Sequence, residues 1–198
     1  MSSAPLAAPA LVLDACVLMS GVLRPVLLDL AEEGLFEPAW SQRIGQEWRR
    51  NAARLWPIAP LVLDEEWARM QARFPQADKG DVSAFESGLR HSDRKDWHVA
   101  AAGIAAAGRE PGRPVRVVTW NIKDFSRSEL RKLGVGLVDP DRLFSEWWPT
   151  HRQVVISAVE KTLHALVDTG RRQPESVVSM LKRERLFRLA GLVERQSA

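Results

Sequence analysis

Residues 115–125 read VRVVTWNIKDF. The run VRVV has the β-branched composition of a buried strand, and the loop after it decides the fold. A loop that only reverses the chain is built from Gly or Pro. This one carries Thr119, Asn121 and Asp124, with aromatic residues interleaved. Hydroxyl, amide and carboxylate at the end of a central strand mark a site when strands run parallel, because reactive groups then gather outside the carboxyl ends of the strands.

Outward from this stretch, strands alternate with helical patterns. LVL (11–13) is a short apolar strand ending at Asp14, and Leu23, Leu27, Leu30 and Ala31 then recur at helical spacing until Gly34. FEPAW (36–40) supplies a second strand, and Ser41 caps a helix presenting Ile44, Trp48, Ala52 and Leu55 on one side. Asp64 is expected to cap a helix using Trp67, Met70 and Phe74, and Asp81 another using Val82, Phe85 and Leu89. Asp93 opens the alanine-rich helix DRKDWHVAAAGIAAAG, which Gly108 ends. Ser126 or Ser128 starts a short helix before Gly134, VGLV (135–138) is the last strand, and Asp141 is expected to cap DRLFSEWW. Strands separated by helices imply parallel pairing through right-handed crossovers. The fold expected is α/β, a three-layer α/β/α sandwich on a short central parallel sheet. Val155, Val159, Thr162, Leu163 and Leu166 form a further helical stripe, and Pro174 suits the first turn of a helix carrying Val177, Val178 and Leu181. The division expected is a domain over 1–149 and a packed C-terminal helical extension over 150–198.

Composition narrows the function. Cys16 is the only cysteine of 198 residues, so no intrachain disulfide forms, and a reducing cytoplasm fits. The apolar N-terminus has no basic residue ahead of its apolar stretch and is broken by Asp14; it reads as an arm leading into a strand rather than a signal peptide, and no run is long enough to cross a membrane. Basic and acidic residues balance at nineteen each up to residue 144, so the net charge of +3 comes from the last quarter. That excess suits a solvated helix face better than it argues for nucleic acid.

Asp14 and the Thr119–Asp124 loop leave strands at one edge. Asp96, one turn into its helix, and Glu47, one to two turns into its own, face the same edge, so four carboxylates share a cleft. Clustered carboxylates repel unless cations bind among them, and hard oxygen donors suit Mg²⁺ or Mn²⁺. His91, His98, His151 and His164 show no zinc-ligand spacing with Cys16.

LDACVL with Asp14, WSQRIGQEW with Glu47, DRKDWHVAAA with Asp96 and TWNIKDF with Asp124, at intervals of 33, 49 and 28 residues, resemble the four acidic motifs of PIN-domain ribonucleases, especially the VapC-like toxins of toxin-antitoxin pairs. The resemblance covers roughly residues 10–145. It implies a Mg²⁺-dependent endoribonuclease (Mn²⁺ as the alternative ion) whose Asp14, Glu47, Asp96 and Asp124 hold one or two metal ions and carry catalysis. Thr119 and Asn121 match its polar loop positions, as supporting or substrate contacts. The cut it implies leaves a 5′-phosphate and a 3′-hydroxyl. An RNA substrate and a cognate antitoxin protein are the partners implied, and a homodimer stays open. Trp97 departs from the pattern, since related sequences often carry Arg after the acidic residue.

Plainer readings exist for each acid. Asp14 could end a strand in a turn, though no Gly or Pro comes directly after it. Glu47 could be a solvated helix residue, Asp96 could serve the helix dipole, and Asp124 could cap a helix that Ser126 and Ser128 already serve. A PIN-like module that binds RNA or protein without cutting, and a DNA-directed nuclease of the same fold, stay open. An aspartyl phosphotransferase is disfavoured, because the second acid it needs two residues after Asp14 is Cys16. Lys95, Lys123 and Arg127 are the expected phosphate contacts on the cleft rim.

Overall fold

The computed structural model describes residues 8–110 and 112–197. Four short strands, β1 (Ala10–Leu13), β2 (Glu37–Ala39), β3 (Val115–Val118) and β4 (Val135–Val138), form one parallel sheet in the order β2-β1-β3-β4. Every residue of β1 is buried, as expected of a central strand whose ALVL sequence lacks polar alternation. Val12 lies opposite Ala39 on one side and Val117 on the other. The N-terminal arm expected ahead of β1 falls mostly outside the described residues.

The helices are α1 (Ala15–Leu18), α2 (Leu23–Glu32), α3 (Gln42–Leu55), α4 (Pro60–Arg73), α5 (Trp97–Arg109), α6 (Arg127–Lys132), α7 (Pro140–Asp168), α8 (Val177–Arg183) and α9 (Phe187–Ser197). This α/β arrangement is compatible with a three-layer sandwich. Helix α5 contacts all four strands. Its small residues explain why: a Cβ on Gly103 would come within 2.9 Å of Val135 Cγ1, so only a glycine lets the helix lie this close to β3 and β4. On α3 the apolar stripe buries Ile44, Gly45, Trp48 and Ala52. Burying a large aliphatic side chain stabilises by about 1.5–3 kcal/mol, and Leu11, Leu13, Leu18, Leu23, Leu27 and Leu30 are all fully buried.

Several local expectations are corrected. Asp64 does not cap a helix: α4 starts four residues earlier, with Pro60 at its first position, and Asp64 instead meets Arg49 at 3.2 Å. After Asp81 the chain makes only a 3-10 turn, Ser83–Glu86, in which the Asp81 carboxylate accepts from Ser83 N at 2.9 Å. Val82 and Leu89 are buried there, but Phe85 is 42% exposed. Asp139, not Asp141, caps α7 by accepting from Arg142 N. Ser176, not Pro174, opens α8. Helix α7 runs through residues 149 and 150, with Pro149 inside it and non-helical angles at His151. Pro149 removes a backbone donor and crowds the preceding turn, which accounts for the kink.

Candidate functional site

Asp14 stands where β1 becomes α1. Its N–H continues the sheet by donating to Val118 O at 3.2 Å, and its side chain caps α1 by accepting from Cys16 N at 3.4 Å. The other carboxylate oxygen accepts from the Thr119 hydroxyl at 2.5 Å and from Cys16 Sγ at 3.2 Å. Thr119 is fully buried just beyond β3, so strand pairing brings its hydroxyl to Asp14 across 105 residues. The same hydroxyl accepts from Asn121 N, which folds the loop back; the bonds at Asn121 run through its backbone. Burial raises the Asp14 carboxyl, against the bonds from Thr119 and Cys16, and Glu47 adds repulsion. Burial and the Asp14 charge push the Cys16 thiol up to about 12, so it is held as a thiol.

Asp96 ends a 3-10 turn, Arg94–Asp96, that Asp93 caps by accepting from Lys95 N. It therefore occupies the N-cap position of α5, yet its side chain makes no capping bond. Asp96 is 7% exposed, and its Oδ2 is buried without a hydrogen bond. Burial first, then the charges of Asp14, Asp124 and Asp93 opposed by Lys95, push its carboxyl up to about 6. Asp124 ends the 3-10 turn Ile122–Asp124, and its carbonyl accepts from Asp93 N at 2.7 Å, joining the two acidic loops through the backbone.

Glu47 projects from the second turn of α3 toward α5, where His98 Nε2 comes within 2.9 Å of its Oε2. The two are not aligned as a hydrogen bond, but the approach of the imidazole, outweighing partial burial, holds the Glu47 carboxyl below its ordinary value. The electrostatic couplings Asp14 to Glu47, Asp14 to Asp96 and Asp96 to Asp124 thus link all four sequence-selected acids. Among the described residues, however, no three Asp, Glu, His or Cys side chains stand together as a ready group for a metal ion. The donors suit a hard cation, and the Asp96 Oδ2, which has no hydrogen bond, is a ligand atom of that kind.

Two residues here take roles that their sequence patterns did not indicate. Lys95, expected on the rim, folds back: its ammonium lies 3.1 Å from Asp124, 3.6 Å from Asp93 and 3.9 Å from Asp96. Glu129 stands three residues after Ser126, the spacing of a capping box, which would turn it toward its own helix. Instead its carboxylate accepts from Arg90 N, His91 N, Ser92 N and the Ser92 hydroxyl at 2.6–3.0 Å. It thereby fixes the segment leading to Asp93 and Asp96. Trp97, at the position that departs from the expected pattern, donates its indole N–H to Ser92 O and lies beneath Arg94, so it braces the same segment. One concavity, by contrast, lies at the amino edge of the sheet near Gly112 and Gly134, remote from the acids. Chemistry rather than cavity size therefore selects this site. No protein-family model matches the chain, and neither a curated protein nor a solved structure does.

Proposed function

We propose that this chain is a metal-dependent endoribonuclease of the PIN-domain kind, built as a three-layer α/β/α sandwich and acting as the toxin of a toxin-antitoxin pair. The observation that supports the reading best is the Asp96 carboxylate, without a hydrogen bond on Oδ2 and raised first by its burial and then by the acids around it. Asp14, Glu47, Asp96 and Asp124 would hold Mg²⁺ or Mn²⁺, which when bound supplies the positive charge that activates water and stabilises a phosphoryl transition state. The other groups prepare the acids. Thr119 and Cys16 fix the rotamer of Asp14. The His98 contact keeps Glu47 ionised. Glu129 and the Asp93–Asp124 backbone bond hold Asp96 and Asp124 on one edge. Hydrolysis adds water across the P–O3′ bond, so one product carries the 5′-phosphate and the other takes up a proton as a 3′-hydroxyl.

Incubating purified protein with single-stranded RNA and with DNA, in Mg²⁺, Mn²⁺ or chelator, tests this. Cleavage of RNA that needs the ion and falls to the chelator level in Asp14→Asn and Asp96→Asn, both folded, is the expected result; full activity in either variant would defeat the shared-acid reading. Expression alone should slow growth, and a small protein encoded beside the chain should relieve it. The Lys95 ammonium, beside Asp96 and Asp124 of the four acids and beside Asp93, favours a second reading, a PIN-like module that binds RNA or protein without cutting. Binding of RNA without ion-dependent cleavage would select that second reading.

A further inference from the structure

Helices α2, α6 and α7 each end in a glycine of left-handed conformation, Gly34, Gly134 and Gly170. Helix α8 ends in the same way with an arginine: Arg185 has φ 65°, the one non-glycine residue of positive φ among the described residues. Its N–H donates to Lys182 O at 3.1 Å, and Leu186 N donates to Leu181 O at 2.9 Å, so the helix-ending bonds form as they would around glycine. An L side chain there costs about 1 kcal/mol or more, and such strain persists only where the surroundings impose it. Here they do. Glu184 accepts from the Ser20 hydroxyl at 2.6 Å and pairs with Arg172 at 3.0 Å, pinning the α8–α9 turn onto the α1–α2 turn.

The constraint delivers the guanidinium to the acidic edge. Arg185 Cζ lies 4.9 Å from the Trp120 ring centroid, and Trp120 adjoins Thr119, the residue bonded to Asp14. Trp120 N also donates to Cys16 Sγ, so the backbone carrying the indole is anchored at the same strand ends. Two nearby basic side chains are differently engaged: Lys182 pairs with Glu194 at 2.7 Å, and Arg183 is bidentate to Glu175 at 2.8 and 3.0 Å. Arg185 is exposed and makes no ion pair among the described residues. A guanidinium held over an aromatic face keeps its N–H fork free at the edges, the arrangement that receives a phosphate bidentately.

We propose that Arg185, oriented by Trp120, is a phosphate-binding subsite through which the C-terminal extension grips single-stranded RNA beside the catalytic acids. The proposal rests on the ribonuclease reading and deepens it. Its test is fluorescence anisotropy of a labelled single-stranded oligoribonucleotide in chelator, across several salt concentrations, with wild type, Arg185→Gly and the Lys182→Ala/Arg183→Ala double variant. Arg185→Gly relieves the backbone strain, so its melting temperature should equal or exceed that of wild type while binding weakens. The slope of log K against log salt should fall by about 0.7, the contribution of one phosphate contact on a single strand. The double variant should keep the wild-type slope. An unchanged slope in Arg185→Gly, or an equal fall in the double variant, overturns the subsite. If wild type binds and cuts RNA while Arg185→Gly behaves identically, the subsite alone is lost; if wild type neither binds nor cuts it, the ribonuclease reading is lost with it.

Discussion

Asp14 and Asp96 are both nearly inaccessible, yet their surroundings treat them oppositely. Asp14 has its oxygens bonded by Thr119 and Cys16, whereas Asp96 has its Oδ2 buried without a hydrogen bond. The Asp96 carboxyl, at about 6 in the fold against an ordinary value near 3.9, is worked against by folding once it ionises. Because the native state binds its proton more tightly than the unfolded chain, stability falls as pH rises from about 4 to about 6, and the deficit is complete above that. Asp96→Asn should therefore stabilise the protein in chelator at pH 7 by on the order of 2 kcal/mol, a gain that disappears below pH 4. Denaturant curves across that range check it; a variant less stable than wild type at pH 7 would refute the frustrated-carboxylate account. Lys95 offsets the same repulsion, its ammonium 3.1 Å from Asp124 and 3.9 Å from Asp96. Lys95→Met should then lower the Mn²⁺ concentration that half-saturates the site, read by the loss of the free-ion paramagnetic resonance signal. Weaker Mn²⁺ binding in that variant would mean that Lys95 organises the acids instead of competing for them. The four acids could be read in the sequence because each is a charged residue next to a strand end or apolar helix face. The return of Lys95 could not be read, since it depends on Asp93 through Asp96 turning as a 3-10 helix rather than as the start of α5.

At the scale of elements, the acidic edge depends on α6 as well as on the strands. The Glu129 carboxylate replaces missing partners for three successive backbone amides, from Arg90 to Ser92. Burial raises its carboxyl, and the bonds from Ser92 and those amides outweigh burial and set it below its ordinary value. Its contribution is thus present above the unfolded value, near 4.3, and lost as pH falls through the lower folded value. Glu129→Gln keeps the size but loses the charge, and should cost about 1–3 kcal/mol at pH 7, with wild type and variant converging in acid. Equal stability at pH 7 would show that the loop holds without the carboxylate. A second element-level device is Gly45, where an added methyl would overlap the Trp67 indole of α4. Gly45→Ala should cost about 1–3 kcal/mol by overpacking, seen as a lower melting temperature. The apolar periodicity of α3 is plain in the sequence, but the close approach of α4 is not. Asp64 has the residue type of a cap, whereas Pro60 has already opened the helix.

Across the whole molecule, the C-terminal helices share one apolar cluster with the sheet: Leu11, Phe144, Val155, Leu181 and Leu189 all belong to it. The stripe Val155, Val159, Thr162, Leu163 and Leu166 is legible as helical, and all of it but the half-buried Leu166 is buried. What no local pattern could reveal is the partner of Asp141, because that partner is 47 residues away: its carboxylate accepts from Arg188 N and Leu189 N at 3.0–3.1 Å, capping α9 from the side of α7. Removing an N-terminal cap costs roughly 0.5–2 kcal/mol. Asp141→Ala should lower the melting temperature accordingly, and Asp141→Asn, which keeps an acceptor, should lower it less. Since the apolar contacts are continuous, the weakened cap should shift a single unfolding transition to lower temperature without dividing it. Calorimetry decides the point: one peak, with calorimetric and van't Hoff enthalpies in agreement, is expected for both variants. A separate low-temperature transition in Asp141→Ala would mean that α8 and α9 unfold as a unit of their own, joined to the sheet by the Asp141 cap rather than by the shared core.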